Sequence, residues 1–295
     1  MNPPGVDLVW NPAGATDLVL LAHGGMEESR ADAYLWRAPI LRMWPFAAAA
    51  RTAVPDAAVG LMRYRYQGWN ATTTDPTTTD PAAADPAAAD PAVDLRAVLD
   101  ELPPVIRRVV LIGHSMGGRA VVAAGDHPRV AGVLALAPWL PEGEPLTKLR
   151  SPVTFAHGTD DTITDPRTTT AYANRLRAAG TPVTVYAVTD ETHPLLHRAT
   201  DWNTLVATFT AGALASPQPT PATTSSEQTP ATTTSEQTPA TTTSESTTAP
   251  DADTEPLPQY GQRSSLPAAV GSIAVARLRL PVVERFQVKV AEARG

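Results

Sequence analysis

Cysteine is absent from the 295-residue chain, which excludes disulfides and thiolate metal sites. Aromatic residues are scarce, at 5 %. Apolar residues reach 43 %, but much of that is alanine, which buries little area, so the core is expected from runs of Val, Leu and Ile. No stretch approaches the roughly 18 consecutive apolar residues needed to span a bilayer, and no membrane span is expected. Met1 to Asp7 carries no basic region followed by an apolar run, so a signal peptide is not expected and a cytoplasmic location is. A formal charge of −7 gives no reason to expect a nucleic-acid partner.

Proline, by contrast, is abundant. The 30 prolines concentrate in two biased tracts. Between Asn70 and Pro91 the pairs Asp75-Pro76, Asp80-Pro81, Asp85-Pro86 and Asp90-Pro91 are separated by Thr or Ala triplets. Each proline disfavours helix at the residue before it, and the triplets offer almost nothing to bury, so 70–91 reads as a disordered repeat loop. From 216 to 256 a Ser-Glu-Gln-Thr-Pro-Ala-Thr-Thr-Thr unit recurs, which reads as a disordered linker. The remainder, 257–295, holds six basic residues against two acidic ones among scattered valines. Pro267 and Pro281 interrupt any long amphipathic helix there, so it reads as a tail too short to fold alone, with membrane or partner docking as the sharper alternative.

The first 215 residues alternate extended and helical patterns. Val6 to Trp10 and Asp17 to Ala22 read as a hairpin or adjacent strands around Asn11-Pro12-Ala13-Gly14, the second apolar on successive residues as a doubly covered strand requires. Helical spacing follows from Ser29 to Arg51, with Pro39 and Pro45 implying two pieces or a kink. Strands are expected at 58–64, 108–113, 132–137, 152–157 and 182–188. Helices are expected at 93–102, 115–125, 168–179 and 201–214. Such alternation implies a mostly parallel α/β sheet with helices on both faces.

The sharpest local feature is Gly113-His114-Ser115-Met116-Gly117-Gly118, which follows the apolar run Val109 to Ile112 and opens a helix. A nucleophilic serine at a tight strand-to-helix turn needs small neighbours, so that the backbone bends sharply and the hydroxyl stands clear of the sheet. The helix start also brings free N–H groups and a positive dipole end beside a developing oxyanion.

On these residues the chain resembles the α/β-hydrolase superfamily, in particular small bacterial-type esterases and dienelactone-hydrolase-like proteins. The resemblance implies a nucleophile, acid and base in that order on post-strand loops, with Ser115 as nucleophile. The acid falls in Ala156-His157-Gly158-Thr159-Asp160-Asp161; the family spacing selects Asp161, with Asp160 a rival and Asp165 a third choice. The base falls in Asp190-Glu191-Thr192-His193-Pro194, where His193 matches and His197 is the alternative. Leu21-Ala22-His23-Gly24-Gly25-Met26 resembles the family's oxyanion loop, implying backbone N–H donors at Gly25 and Met116. His23, His114 and His157 read as structural neighbours of these motifs. Neither a metal nor a cofactor is called for.

Ser115 and Asp161 stand 46 positions apart, which leaves no room for the cap domain of many relatives. The site is then open, roofed by Met26, Tyr34-Leu35-Trp36, Met116 and Trp139, with Met26, Trp36 and Trp139 the candidate substrate-lining residues. The implied activity is hydrolysis of a small-molecule carboxylic ester or related acyl bond through an acyl-enzyme. The same residues serve peptide, lactone or thioester hydrolysis and perhydrolysis equally. A binding protein that kept the fold without catalysis is the alternative of another class. The oligomeric state is not legible.

Overall fold

The computed structural model describes residues 3–32, 38–70 and 85–216 in full and the backbone of 259–260 and 284–287. Chain contacts separate 217–256 from a unit comprising 1–216 and 257–295, and every described residue lies in the latter.

Seven strands form the body of the sheet: β1 (Gly5–Trp10), β2 (Asp17–Ala22), β3 (Ala58–Arg63), β4 (Arg108–His114), β5 (Val130–Leu136), β6 (Val153–Gly158) and β7 (Val183–Val188). Their spatial order is β7-β6-β5-β4-β2-β3-β1, parallel except for β1, which runs antiparallel to β3. Two short strands complete the edges, β8 (Gln259–Tyr260) beside β7 and β9 (Glu284–Gln287) beside β1. The rest of the expected disordered tail lies outside the described residues.

Consecutive side chains of β2 and β4 serve opposite faces, as a strand's period of two dictates. Leu18, Leu20, Val109 and Leu111 pack under α3 (Asp90–Glu101), α4 (Met116–Ala123) and α5 (Pro166–Ala178). Val19, Leu21, Val110 and Ile112 pack under α1 (Ala38–Leu41), α2 (Met43–Ala53) and α6 (Ala199–Ala215). Burying each such side chain is worth about 1.5–3 kcal/mol. Alanine contributes more than its small area suggests. Ala47 and Ala50 of α2, Ala120 and Ala123 of α4 and Ala173 of α5 are all buried where helices meet the sheet, and their small volume lets backbones approach.

Three expectations are corrected. The first two strands are neither a hairpin nor neighbours, because β3 lies between them. The connection turns at Gly14, where φ is +78°, but runs on through Thr16, longer than a tight hairpin loop, so β2 is free to enter the buried centre of the sheet. Secondly, helix does not begin at Ser29. Residues 26–32 pair with 66–70, through a Met26–Gly68 bridge and an Asp32–Tyr66 bridge, and among the described residues the first helix is Ala38–Leu41. Thirdly, the repeat loop ends before Pro91. Asp85 caps a single 3-10 turn (Pro86–Ala88) by accepting from the Ala87 N–H at 2.9 Å, and α3 starts at Asp90 with Pro91 buried in its first turn. Proline is suited there, since a first-turn N–H has no helical partner to lose. Residues 71–84 lie outside the described set.

Candidate active site

Ser115 occupies a backbone conformation that L-residues avoid, φ 56° and ψ −121°, at a cost of about 1–3 kcal/mol. The surroundings dictate it. The Ser115 N–H donates to the Leu136 carbonyl at 3.0 Å, and its own carbonyl accepts from Arg119 at 3.2 Å and Trp139 at 3.1 Å. The flanking glycines are steric necessities. A Cβ on Gly113 would stand 2.2 Å from the Gly117 carbonyl oxygen, and one on Gly117 would stand 2.3 Å from that of Ala22.

The Ser115 Oγ lies 3.0 Å from Nε2 of His193, and Nδ1 of His193 lies 2.8 Å from Oδ2 of Asp161. A carboxylate can only accept, so Nδ1 carries the proton and Nε2 presents a lone pair to the serine hydroxyl. That is the tautomer a general base needs. Oδ1 of Asp161 accepts from the Ile163 and Thr164 N–H groups at 2.8 and 3.0 Å. Oδ2 additionally accepts from the Thr164 hydroxyl at 2.9 Å and faces Nε2 of His157 at 3.1 Å. Burial opposes ionisation of Asp161, but the hydrogen bonds from His157, His193 and Thr164 outweigh it and hold the carboxyl well below the usual range.

The rival residues are engaged otherwise. Asp160 is exposed and accepts from the Thr159 hydroxyl, Asp165 caps α5 and pairs with Arg167, and the His197 side chain is 63 % exposed. Trp36, with Tyr34 and Leu35, lies outside the described residues.

Two loops bring base and acid together by binding each other. The Asp160 N–H donates to the Glu191 carbonyl at 3.0 Å, and the Asp190 N–H to the Thr159 hydroxyl at 3.1 Å. Glu191, which no local motif singles out, is fully buried and anchors the base loop. Its carboxylate accepts from the Thr192 and Arg198 N–H groups, each at 2.8 Å, and from the Trp202 indole at 2.9 Å. His114 steadies the same loop by donating Nε2–H to the His193 carbonyl at 3.0 Å. Burial, then the neighbouring His193, pushes His114 down to about 3, so it is neutral.

On the other side of Ser115, the Met26 N–H is taken by the Gln67 carbonyl at 2.9 Å, so it is not a free oxyanion donor. Gly25 packs so tightly that a Cβ would meet the Gln67 carbonyl oxygen at 2.3 Å and the Met116 sulfur at 2.5 Å. Met116 opens α4, where an N–H has no helical acceptor. Met26 is 52 % exposed and lines a small cavity with His23, Gly24, Gly25, Pro39, Ile40 and Gln67.

Trp139 is tied to structure more than to the cavity. The Arg119 guanidinium lies 4.7 Å from the Trp139 ring centre and 4.2 Å from that of Trp69, the two rings meeting edge to face, and Arg119 pairs with Glu144 through two bonds of 2.7 and 2.6 Å. Both charges are buried, Arg119 one turn beyond the nucleophile and Glu144 in the loop after β5. Nothing in the local sequence distinguishes these two charges from surface ones.

A strained serine after the central strand, followed in chain order by an acid and a histidine on later post-strand loops, is the arrangement of one large enzyme class. The chain belongs to the alpha/beta hydrolase family, whose model matches residues 19–277. Every residue between Ser115 and Asp161 is described, and no cap domain interrupts them. Among solved structures, an esterase, PE8, superposes with a TM-score of 0.52 at 16 % identity, covering 70 % of this chain and 99 % of that one. A sugar hydrolase (YeeB) from Lactococcus lactis superposes with a TM-score of 0.50 at 15 % identity, covering 73 % and 96 %. At such identities the likeness establishes the fold. No curated protein matches the chain. Among the described residues no helix is long and apolar enough to cross a membrane.

Proposed function

We propose that this hydrolase cleaves a small-molecule carboxylic ester, or a related acyl bond, through an acyl-enzyme on Ser115. The observation that carries the reading is the unbroken line from Ser115 Oγ to His193 Nε2 at 3.0 Å and from His193 Nδ1 to Asp161 Oδ2 at 2.8 Å. His193 takes the hydroxyl proton as Ser115 Oγ attacks the acyl carbon, and the N–H groups of Gly25 and Met116 hold the resulting oxyanion. One such donor is worth about 3 kcal/mol. His193 then returns the proton to the departing alkoxide, leaving the acyl group on Ser115. Water, deprotonated by the same imidazole, attacks the acyl carbon; the acid leaves and the serine is restored. Asp161 stays ionised throughout and stabilises the imidazolium. Met26, half exposed beside Gly25, is the apolar contact for a short acyl chain.

The test is a kinetic panel of p-nitrophenyl esters of increasing chain length, peptide anilides and lactones. Short acyl esters are expected to give the highest kcat/KM, and Ser115→Ala to lower kcat by about four orders of magnitude or more. Turnover that survives Ser115→Ala would overturn the proposal. Preferential cleavage of anilides or lactones would reassign the bond.

A further inference from the structure

His157 sits two positions before the acid loop proper, at the end of β6, and is 3 % exposed. Its Nε2 faces three oxygens: Asp161 Oδ2 and the Thr164 carbonyl, each at 3.1 Å, which can only accept, and the Thr164 hydroxyl at 3.2 Å, which donates its own proton to Asp161 Oδ2. A bare lone pair there would confront a carboxylate in a buried setting, so Nε2 carries the proton. Nδ1 is therefore the acceptor, and its partner is the hydroxyl of Thr169, itself fully buried in α5, at 2.9 Å. The Thr164 hydroxyl stands among the same groups, 2.9 Å from Asp161 Oδ2 and 3.1 Å from His193 Nδ1.

Resting on the reading of Ser115, His193 and Asp161 given above, we infer that His157 is a positioning residue for the reaction: a second histidine, its tautomer fixed by Thr169, that donates to the catalytic carboxylate and sets how strongly Asp161 holds the protonated base. Oδ2 of Asp161 is shared between two imidazoles, 2.8 Å from one and 3.1 Å from the other. Charge withdrawn by His157 is not offered to His193. The His157 bond is also the largest of the contributions that favour the ionised acid. Because the acid is kept anionic without His193, the base is oriented even before substrate binds.

The sign follows. Losing the His157 donor leaves Asp161 less compensated, so it grips the imidazolium more tightly and the base stays protonated to higher pH. The charged and titratable groups around the cluster are His114 from β4, Arg42 from the α1–α2 junction, Glu191 from the base loop, Asp160 and Asp165 from the acid loop, and Arg167 of α5 and Tyr186 of β7, which line a cavity together with His157. None of these is altered by the variants below.

The experiment is the pH dependence of kcat/KM for a p-nitrophenyl ester in the full chain, comparing wild type with His157→Leu, His157→Gln and Thr169→Val. His157→Leu is expected to move the acid limb upward by about half to one pH unit. His157→Gln, whose amide N–H reaches the same place as Nε2–H, is expected to restore the wild-type midpoint. Thr169→Val, which deletes one hydroxyl, is expected to move the limb the same way by less, and it stands in should His157→Leu not fold. An unmoved limb in both His157→Leu and Thr169→Val, or a shift that His157→Gln does not correct, would overturn the inference. Ser115→Ala, assayed alongside, separates the two levels: residual turnover there defeats the catalytic reading itself, whereas its loss with an unmoved limb defeats only the role of His157.

Discussion

At the scale of single residues, the chemistry was legible wherever it is written in local spacing. Gly113 and Gly117 bracket Ser115 because any side chain there would collide with backbone 2.2–2.3 Å away, and that constraint is visible in sequence as Gly-x-Ser-x-Gly. Gly117→Ala is accordingly expected to abolish ester hydrolysis and to lower the thermal midpoint, since neither the Ala22 carbonyl nor the helix start can yield cheaply. Unchanged kinetics in that variant would show the turn to be softer than argued. The supporting groups were not legible. His157, Thr164, Thr169 and Glu191 gain their roles only when two loops distant in sequence interlock, and a lone histidine or glutamate carries no sign of its burial.

At the scale of elements, the apolar runs of β2 and β4 announced strands covered on both faces, and the structure places both in the middle of the sheet. Pairing was harder. The position of β1 depends on β3, 58 positions away in the pair Gly5 and Arg63, and no local pattern encodes that partnership. The end of the proline repeat is hard to read for a related reason: Asp-Pro discourages helix before the proline but suits a cap followed by a first turn.

Two predictions belong at this level. Asp94 docks α3 by accepting from the Arg65 N–H at 2.8 Å and from its guanidinium. Burial raises its carboxyl to about 6 in spite of Arg65, with Asp90 adding repulsion. Its unfolded value is the ordinary one near 4, so between about pH 4 and 6 the folded state retains a proton that the unfolded state releases. Stability therefore falls as pH rises through that window, and Asp94→Asn is expected to flatten the fall in urea titrations. The second concerns the Arg119–Glu144 pair, whose side chains are 1 % and 3 % exposed. Glu144→Ala strands a buried guanidinium against two indoles and is expected to cost about 3–5 kcal/mol. A loss under 1 kcal/mol would mean that the two tryptophan rings suffice to hold the charge.

At the scale of the molecule, the two ends of the repeat segment are joined to each other. The Asp90 N–H donates to the Trp69 carbonyl at 3.1 Å, and the Asn70 side chain donates to Asp90 at 3.0 Å and to Ser29 at 3.0 Å. A segment whose stems are already fixed adds little to stability through its length, because closure entropy grows only logarithmically. Shortening 71–84 to a few glycines is thus expected to change the unfolding free energy by about 1 kcal/mol or less. The kinetic panel on the same variant, with small and bulky esters, reads whether the segment also shields the site: identical profiles exclude a covering role, and a gain confined to bulky esters establishes one.

The proposed chemistry rests on a single reactive hydroxyl, and covalent labelling with a fluorophosphonate, read by intact mass and peptide mapping, tests it most directly. One adduct per chain is expected, located on Ser115, absent after Ser115→Ala and strongly slowed after His193→Ala. Folded protein that takes up no adduct, or carries it on another residue, would contradict the assignment.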